Sequence, residues 1–415
     1  MPLAYAEEKQ ERENINIIIQ QIDDLISPID TDKPSVVYVF DQVDRIGQLA
    51  VELFTFRSLF PIENFSLIVI VSGTRLRSAR VNLTVFEAFT RQMTVVKTED
   101  ALVCLLGQQN LGLIETNCRQ YLLIHSYIMC RLTMFEVMGK GIAATMTLSG
   151  LDQLKGTRLK KSLGVDHEAP IIALHVREPS FLPGMPEHDY RDADIAQYTP
   201  LIQRLLADGY IIARIGDKTM RPLKMQHPNL IDTPFLAQYD PFMDLYFVAA
   251  SYIFVCTFSG PQSISMAYNT PSLIANCPIT SHSTRGDSDL LLPKKYYSNR
   301  LKRALSYEEI TLSDIPEFVR SKEFTKAHLT LLENSPDEIM SSFNELDHRL
   351  QGSYPIDTAL AKRIATLNQV GHLMREKDLV PQTESNLSIN FFAPVFSKSD
   401  LSHEYIKMNP GFIHN

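Results

Sequence analysis

Short β-branched runs alternate with amphipathic stretches along most of this chain, and the alternation predicts its elements. Residues 7–26 carry an apolar stripe through Ile15, Ile18, Ile19 and Ile22 at helical spacing. Ser27-Pro28 and Asp32-Lys33-Pro34 end that helix. The run Ser35-Val36-Val37-Tyr38-Val39-Phe40 fits a strand buried on both faces, and Leu67 to Val71 a second. Residues 48–60 and 81–92 read as helices and 93–96 as a third strand, which together predict a parallel α/β layer. Residues 107–150 read as helices containing Met and Cys.

From residue 166 the alternation restarts more sharply. Strands are expected at 171–176, 210–215, 230–231, 252–257 and 272–276, with helices at 196–208, 241–250 and 261–268 between them. Asp240 followed by Pro241 is a favoured helix start. That half therefore predicts a doubly wound sheet of about five strands. Residues beyond 306 look helical and polar, and 378–415 an irregular tail. The expected division is an N-terminal helix over 1–34, an α/β domain over 35–165, a second over 166–310, and a helical segment with its tail over 311–415.

Composition narrows the function classes. A 415-residue chain is long enough for two or three domains. Its formal charge of −8 speaks against a nucleic-acid partner, which calls for a basic face. No apolar run approaches a membrane span, and the N-terminus lacks a signal-peptide layout, so a cytoplasmic protein is expected, with peripheral contact at a membrane's inner face left open. The five cysteines form no CxxC pair and no zinc-like spacing, which points to buried thiols and no metal.

In open α/β sheets, ligands bind beyond the carboxyl ends of the strands. In the second half those ends are polar: His175-Val176-Arg177-Glu178, Arg214-Ile215-Gly216-Asp217, Ser259-Gly260-Pro261-Gln262 and Asn276. Gly260 lets a ligand approach the backbone, and the following helix start turns N–H groups toward an anion such as a diphosphate. A capped turn explains the same residues. Arg177 and Arg191 suit phosphate oxygens through their two-pronged guanidinium groups. The competing reading of Arg177 is an ion pair with Glu178 or Asp217. His175 also fits a satisfied core histidine, and Asp217 either a ribose or base acceptor or a cap. The basic stretch Lys294-Lys295-Tyr296-Tyr297 with Arg300, Lys302 and Arg303 fits a solvated face better than an anionic acceptor or membrane site. There is no G-x-G-x-x-G and no Walker-type lysine, which lowers the case for a nicotinamide cofactor or ATP hydrolysis.

The order His175-Val176-Arg177-Glu178-Pro179-Ser180-Phe181, Arg191, Arg214-Ile215-Gly216-Asp217, Asp240, Ser259-Gly260, Asn276 and Lys294-Lys295-Tyr296 resembles a family of bacterial glycosyltransferases of surface-carbohydrate synthesis. Arg45-Ile46-Gly47-Gln48-Leu49-Ala50 resembles that family's R-I-G-H-L-A element, with Gln48 where a histidine is common. More distantly, His175-Val176-Arg177 is similar to the H-x-R element of fucosyltransferases. The resemblance implies a GT-B-like α/β fold with two facing Rossmann-like domains and a helical C-terminal segment. It implies metal-independent transfer of a hexosyl or deoxyhexosyl group, the donor nucleotide in the second domain and a glycan, glycolipid or protein acceptor on the first, with oligomerisation left open. The implied donor contacts are His175, Arg177, Arg191, Arg214, Asp217, Ser259, Gly260, Gln262 and Asn276. Glu178, Asp41 and Asp44 are the candidate bases, beside Arg177 as the group offsetting leaving-group charge. A nucleotide-sugar epimerase or hydrolase of the same shape, or a non-catalytic scaffold, are the alternatives.

Overall fold

The computed structural model describes residues 2–101, 103, 112–117, 119–125, 129, 145–165, 168–179, 186–280, 288–378 and 400–413. They form two compact units, 1–133 and 134–415. The expected boundary lay at 165/166; the helix Gly150–Ser162 instead belongs to the second unit, where Gly156 meets the Tyr246 ring.

The first unit is built on a five-stranded sheet: β1 Ser35–Phe40, β2 Ser66–Ser72, β3 Thr94–Thr98, β4 Leu113–Glu115 and β5 Gln120–His125. The spatial order is β3-β2-β1-β5-β4. All neighbours are parallel except β4, which runs antiparallel to β5. The expected strands formed because their central residues are buried on both faces of the sheet. The helix Pro2–Ile26 packs Ile22 and Ile26 onto Val37, Val39, Ile68, Ile70 and Leu123, so its apolar stripe closes one face of this core. The expected helical reading of 107–150 is corrected at β4 and β5. Gln120 to His125 is a short apolar run, which periodicity alone does not separate from a buried helix segment. Residues 104–111, 118, 126–128 and 130–144 lie outside the described residues.

Among its described residues the second unit holds a sheet of seven parallel strands, two more than expected. They are β6 Ile171–His175, β7 Ile211–Arg214, β8 Leu230–Asp232, β9 Ile253–Cys256, β10 Ser272–Cys277, β11 Leu290–Pro293 and, after three strands of another sheet, β15 Asp400–Leu401. The order is β15-β11-β10-β9-β6-β7-β8. The three intervening strands are β12 Lys295–Ser298, β13 Arg303–Ala304 and β14 Leu329–Leu332, which form a small antiparallel sheet. Residues beyond 306 are thus not wholly helical, and the supposed irregular tail supplies β15 and the helix His403–Met408.

This order has a functional consequence. The chain begins in the middle of the sheet at β6 and winds outward through β7 and β8. It then returns to β9, on the other side of β6, and winds the opposite way. The reversal lies between β6 and β9, and ligands of open α/β sheets bind outside the carboxyl ends at such a point.

Candidate functional site

At the carboxyl ends of β6 and β9 the backbone is held tightly. His175 registers with Cys256, the Thr257 N–H donates to the His175 carbonyl at 3.0 Å, and the Arg177 N–H donates to Thr257 Oγ1 at 2.9 Å. The His175 imidazole is buried and bridges three strand ends. Its Nδ1 lies 3.3 Å from the Ile215 carbonyl beyond β7, and its Nε2 lies 2.8 Å from Ser259 Oγ beyond β9. A carbonyl only accepts, so Nδ1 carries the proton and Nε2 receives the Ser259 hydroxyl. Burial pushes the His175 pKa down to about 4, assisted by the Arg214 and Arg177 charges, so the ring is neutral near pH 7.

The Ser259 hydroxyl proton is therefore committed inward. The backbone of the same turn is not: the N–H groups of Ser259 and Gly260 have no hydrogen-bond partner among the described residues. Both residues are half-buried. The next residue, Pro261, has no N–H, and those of Gln262 and Ser263 turn back onto the Ser259 and Gly260 carbonyls. Beside this turn, the Arg191 guanidinium sits 5.9 Å from the centre of the Phe258 ring and 5.6 Å from that of Tyr190. The two amides, unpartnered among the described residues, directly follow Phe258, the ring that the Arg191 guanidinium approaches, and free amides and guanidinium groups are the donors that suit an anion.

Several residues expected at this site have other work. Arg177 is buried and pairs with the buried Asp192 at 2.7 Å, neither of the two carboxylates expected for it. The pair, together with the Ala193 N–H donating to the Arg177 carbonyl at 2.9 Å, anchors the segment that ends in Arg191 and Asp192. Lys294, expected on a solvated face, is buried and donates to the Asp192 carbonyl at 2.5 Å, and burial lowers its pKa. Its neighbour Lys295 pairs with Glu338 at 2.7 Å.

Glu178 is only 1 % exposed and accepts from Arg214 Nη2 at 3.0 Å, from the Arg221 N–H at 3.0 Å and from Arg221 Nε at 2.7 Å. A carboxylate so occupied and enclosed does not face a substrate hydroxyl, which removes it from the candidate bases. Arg214 is wholly buried between Glu178, Asp232 and the Arg221 carbonyl, so it does not reach a donor. Asn276 is also fully buried. Its side chain donates to Tyr198 Oη and accepts from the Asn334 N–H, fastening the irregularity at the end of β10. Gln262 is buried in the helix start. Asp217 stays half-buried at the end of β7, with Oδ1 accepting from the Thr219 N–H at 2.7 Å.

In the first unit, the loops after β1 and β2 enclose a bowl of about 370 Å³ lined by Gln42, Asp44, Arg45, Arg75 and Ser78. Asp44 is exposed on its wall. Asp41 is half-buried, with its carbonyl accepting from Arg75 Nη1 at 2.5 Å and its carboxylate accepting from Gln42 Nε2 at 3.1 Å. Periodicity could not find the unpaired amides, but the Ser-Gly-Pro signature marked their turn. The bowl left no signal beyond two arginines far apart in the sequence.

Among the described residues, no helix is long and apolar enough to cross a membrane, and no three His, Cys, Asp or Glu side chains gather as metal ligands. No family model matches the chain, and no curated protein does. Solved structures similar to it include the E. coli ADP-heptose lipopolysaccharide heptosyltransferase II, at 10% identity and TM-score 0.44 over 76% of this chain and 99% of that one. A glycosyl transferase of family 9 from Veillonella parvula is 9% identical with a TM-score of 0.39, over 64% of this chain and 87% of that one. An E. coli heptosyltransferase with ADP-2-deoxy-2-fluoro heptose is 13% identical with a TM-score of 0.32, over 61% and 92%. At these scores the likenesses establish neither fold family nor activity for this chain, which stands as an α/β protein with two largely parallel sheets.

Proposed function

We propose that this chain is a glycosyltransferase that moves a sugar from a nucleotide-sugar donor, without a metal, to a glycan, glycolipid or protein acceptor. The observation that carries the reading is the pair of amides of Ser259 and Gly260, unpartnered among the described residues and following the Phe258 ring that Arg191 approaches, at the reversal point of the seven-stranded sheet. Those groups receive the donor diphosphate and offset the charge that develops on it as the glycosidic bond breaks. Arg177 acts one step back, as the anchor of the Arg191 segment through Asp192. The Ser259 oxygen, its proton given to His175, is left to accept from a ligand hydroxyl. Asp217 offers a second acceptor at the end of β7. The succession of motifs from His175 to Lys294 supports transfer over other nucleotide chemistry. On the acceptor side, Asp44 is the base that takes the attacking hydroxyl's proton: it is exposed in the bowl, whereas Glu178 is enclosed and Asp41 half-buried.

The test is a thermal-shift panel of nucleoside diphosphates and nucleotide sugars against the full chain, with and without EDTA. A ligand bound only by the folded state raises Tm. One nucleotide family should raise it, EDTA should not matter, and Arg191→Gln should reduce the shift. Turnover to an epimer or hydrolysis without acceptor would move the protein to another enzyme class. Silence across the whole panel would leave a non-catalytic scaffold.

A further inference from the structure

The bowl in the first unit is lined by two cations, neither of which is paired with a carboxylate among the described residues. Arg45 sits at the start of the helix Ile46–Leu59 and is exposed; its side chain makes no hydrogen bond or ion pair among the described residues. Arg75 follows β2, is also exposed, and its one side-chain bond among the described residues is the donation from Nη1 to the neutral Asp41 carbonyl. Arg77, two residues on, differs: its guanidinium pairs with Glu99 at 3.0 Å. Each guanidinium carries five N–H donors in a fixed fork, so Arg45 keeps all of its donors available and Arg75 most of them. Ser78 adds a hydroxyl and Gln42 an amide to the same lining. Asp44 is the one anion of the lining; the half-buried Asp41 carboxylate beside it accepts from Gln42, and neither carboxylate bonds Arg45 or Arg75. The bowl lies at the carboxyl ends of β1 and β2, the edge where open α/β sheets take ligands.

We infer that the bowl lined by Gln42, Asp44, Arg45, Arg75 and Ser78 binds a phosphate group, held between the guanidinium forks of Arg45 and Arg75. Resting on the glycosyltransferase reading, the acceptor is then a phosphorylated glycan or glycolipid, anchored by its phosphate while a nearby hydroxyl faces Asp44. The acceptor phosphate stays intact: the donor's sugar–diphosphate bond breaks with its electron pair leaving on the nucleoside diphosphate, a glycosidic bond forms at the acceptor hydroxyl, and Asp44 receives that hydroxyl's proton.

The chain contains no Trp, so binding is best followed by calorimetry on the full protein. A sugar phosphate, the same sugar without phosphate, and inorganic phosphate are titrated at low salt. Nucleoside diphosphate is present to occupy the second unit, and the titrations are repeated without it. The sugar phosphate should bind, the neutral sugar should not, and Arg45→Gln and Arg75→Gln should each weaken binding about tenfold or more, as loss of a charge-assisted contact does. Inorganic phosphate binding as tightly as the sugar phosphate, with the same loss in both variants, would place a phosphate site there but sink the glycan acceptor. Equal sugar-phosphate affinity in wild type and both variants, with unchanged melting curves, would overturn the site itself. Nucleotide binding is read separately, so absence of a nucleotide response condemns the donor assignment and leaves the phosphate measurement standing.

Discussion

His175 is the residue on which the strand ends of the second unit converge, and its neutral state is part of the fold. Burial holds its pKa at about 4 against about 6.5 in an unfolded chain. A histidine with a lowered folded pKa contributes nothing against acid: above pH 6.5 both states are neutral, and as the pH falls toward 4 the unfolded chain takes up a proton that the folded one refuses. Stability should fall across that window by about 3 kcal/mol from this group. Urea midpoints for wild type and His175→Gln, measured from pH 8 to pH 4.5, should converge as the pH drops. Parallel curves would mean the ring titrates normally in the folded protein. Sequence reasoning left His175 between a core group and a ligand contact, and the structure supports the core role with a positioning duty toward Ser259. Charged residues were read less well, because which carboxylate neutralises Arg177 is decided by how the segment 186–194 folds back. Nothing in the sequence brings Asp192, fifteen residues further on, to its side.

At the scale of elements, legibility tracked how far burial constrained the residues. Strands buried on both faces, such as β1, β6 and β9, announced themselves as apolar runs. β15 is two residues long and β4 three, too short for any period to register. The helix Gly150–Ser162 had no clear apolar stripe, because its main contact is made through a glycine: a Cβ on Gly156 would stand 1.9 Å from the Tyr246 ring. The ring belongs to the helix Phe242–Ala249, which is also tied to this segment by the Lys155–Asp240 ion pair at 2.9 Å. Gly156→Ala should therefore destabilise the protein by about 1–3 kcal/mol through overpacking, although alanine is the better helix former. The exposed neighbour Thr157→Ala provides the control, with a change within about 0.5 kcal/mol. A stabilised Gly156→Ala in chemical denaturation would show that the two helices do not meet there.

For the molecule as a whole, the net charge of −8 contrasts with the cations gathered where the sheets end. Composition argued correctly for an acidic globular chain but averaged away Arg45, Arg75 and Arg191, which lie far apart in the sequence, each at or within a helical segment beyond a strand. The architecture explains why a sequence can hide this: each unit has its own sheet, and strand order, invisible in a linear chain, decides which loops become neighbours. The second unit contains all seven strands of its sheet, the helices Thr199–Ala207 and Pro336–Leu350, and every residue of the proposed diphosphate site. A fragment of residues 145–415 should accordingly fold alone, melt cooperatively, and keep the nucleotide-dependent rise in Tm, while losing phosphate binding at the Arg45–Arg75 bowl. A fragment that folds but no longer responds to a nucleotide bound by the full chain would show that the first unit supplies donor contacts. The amides of Ser259 and Gly260 would then be only part of the site.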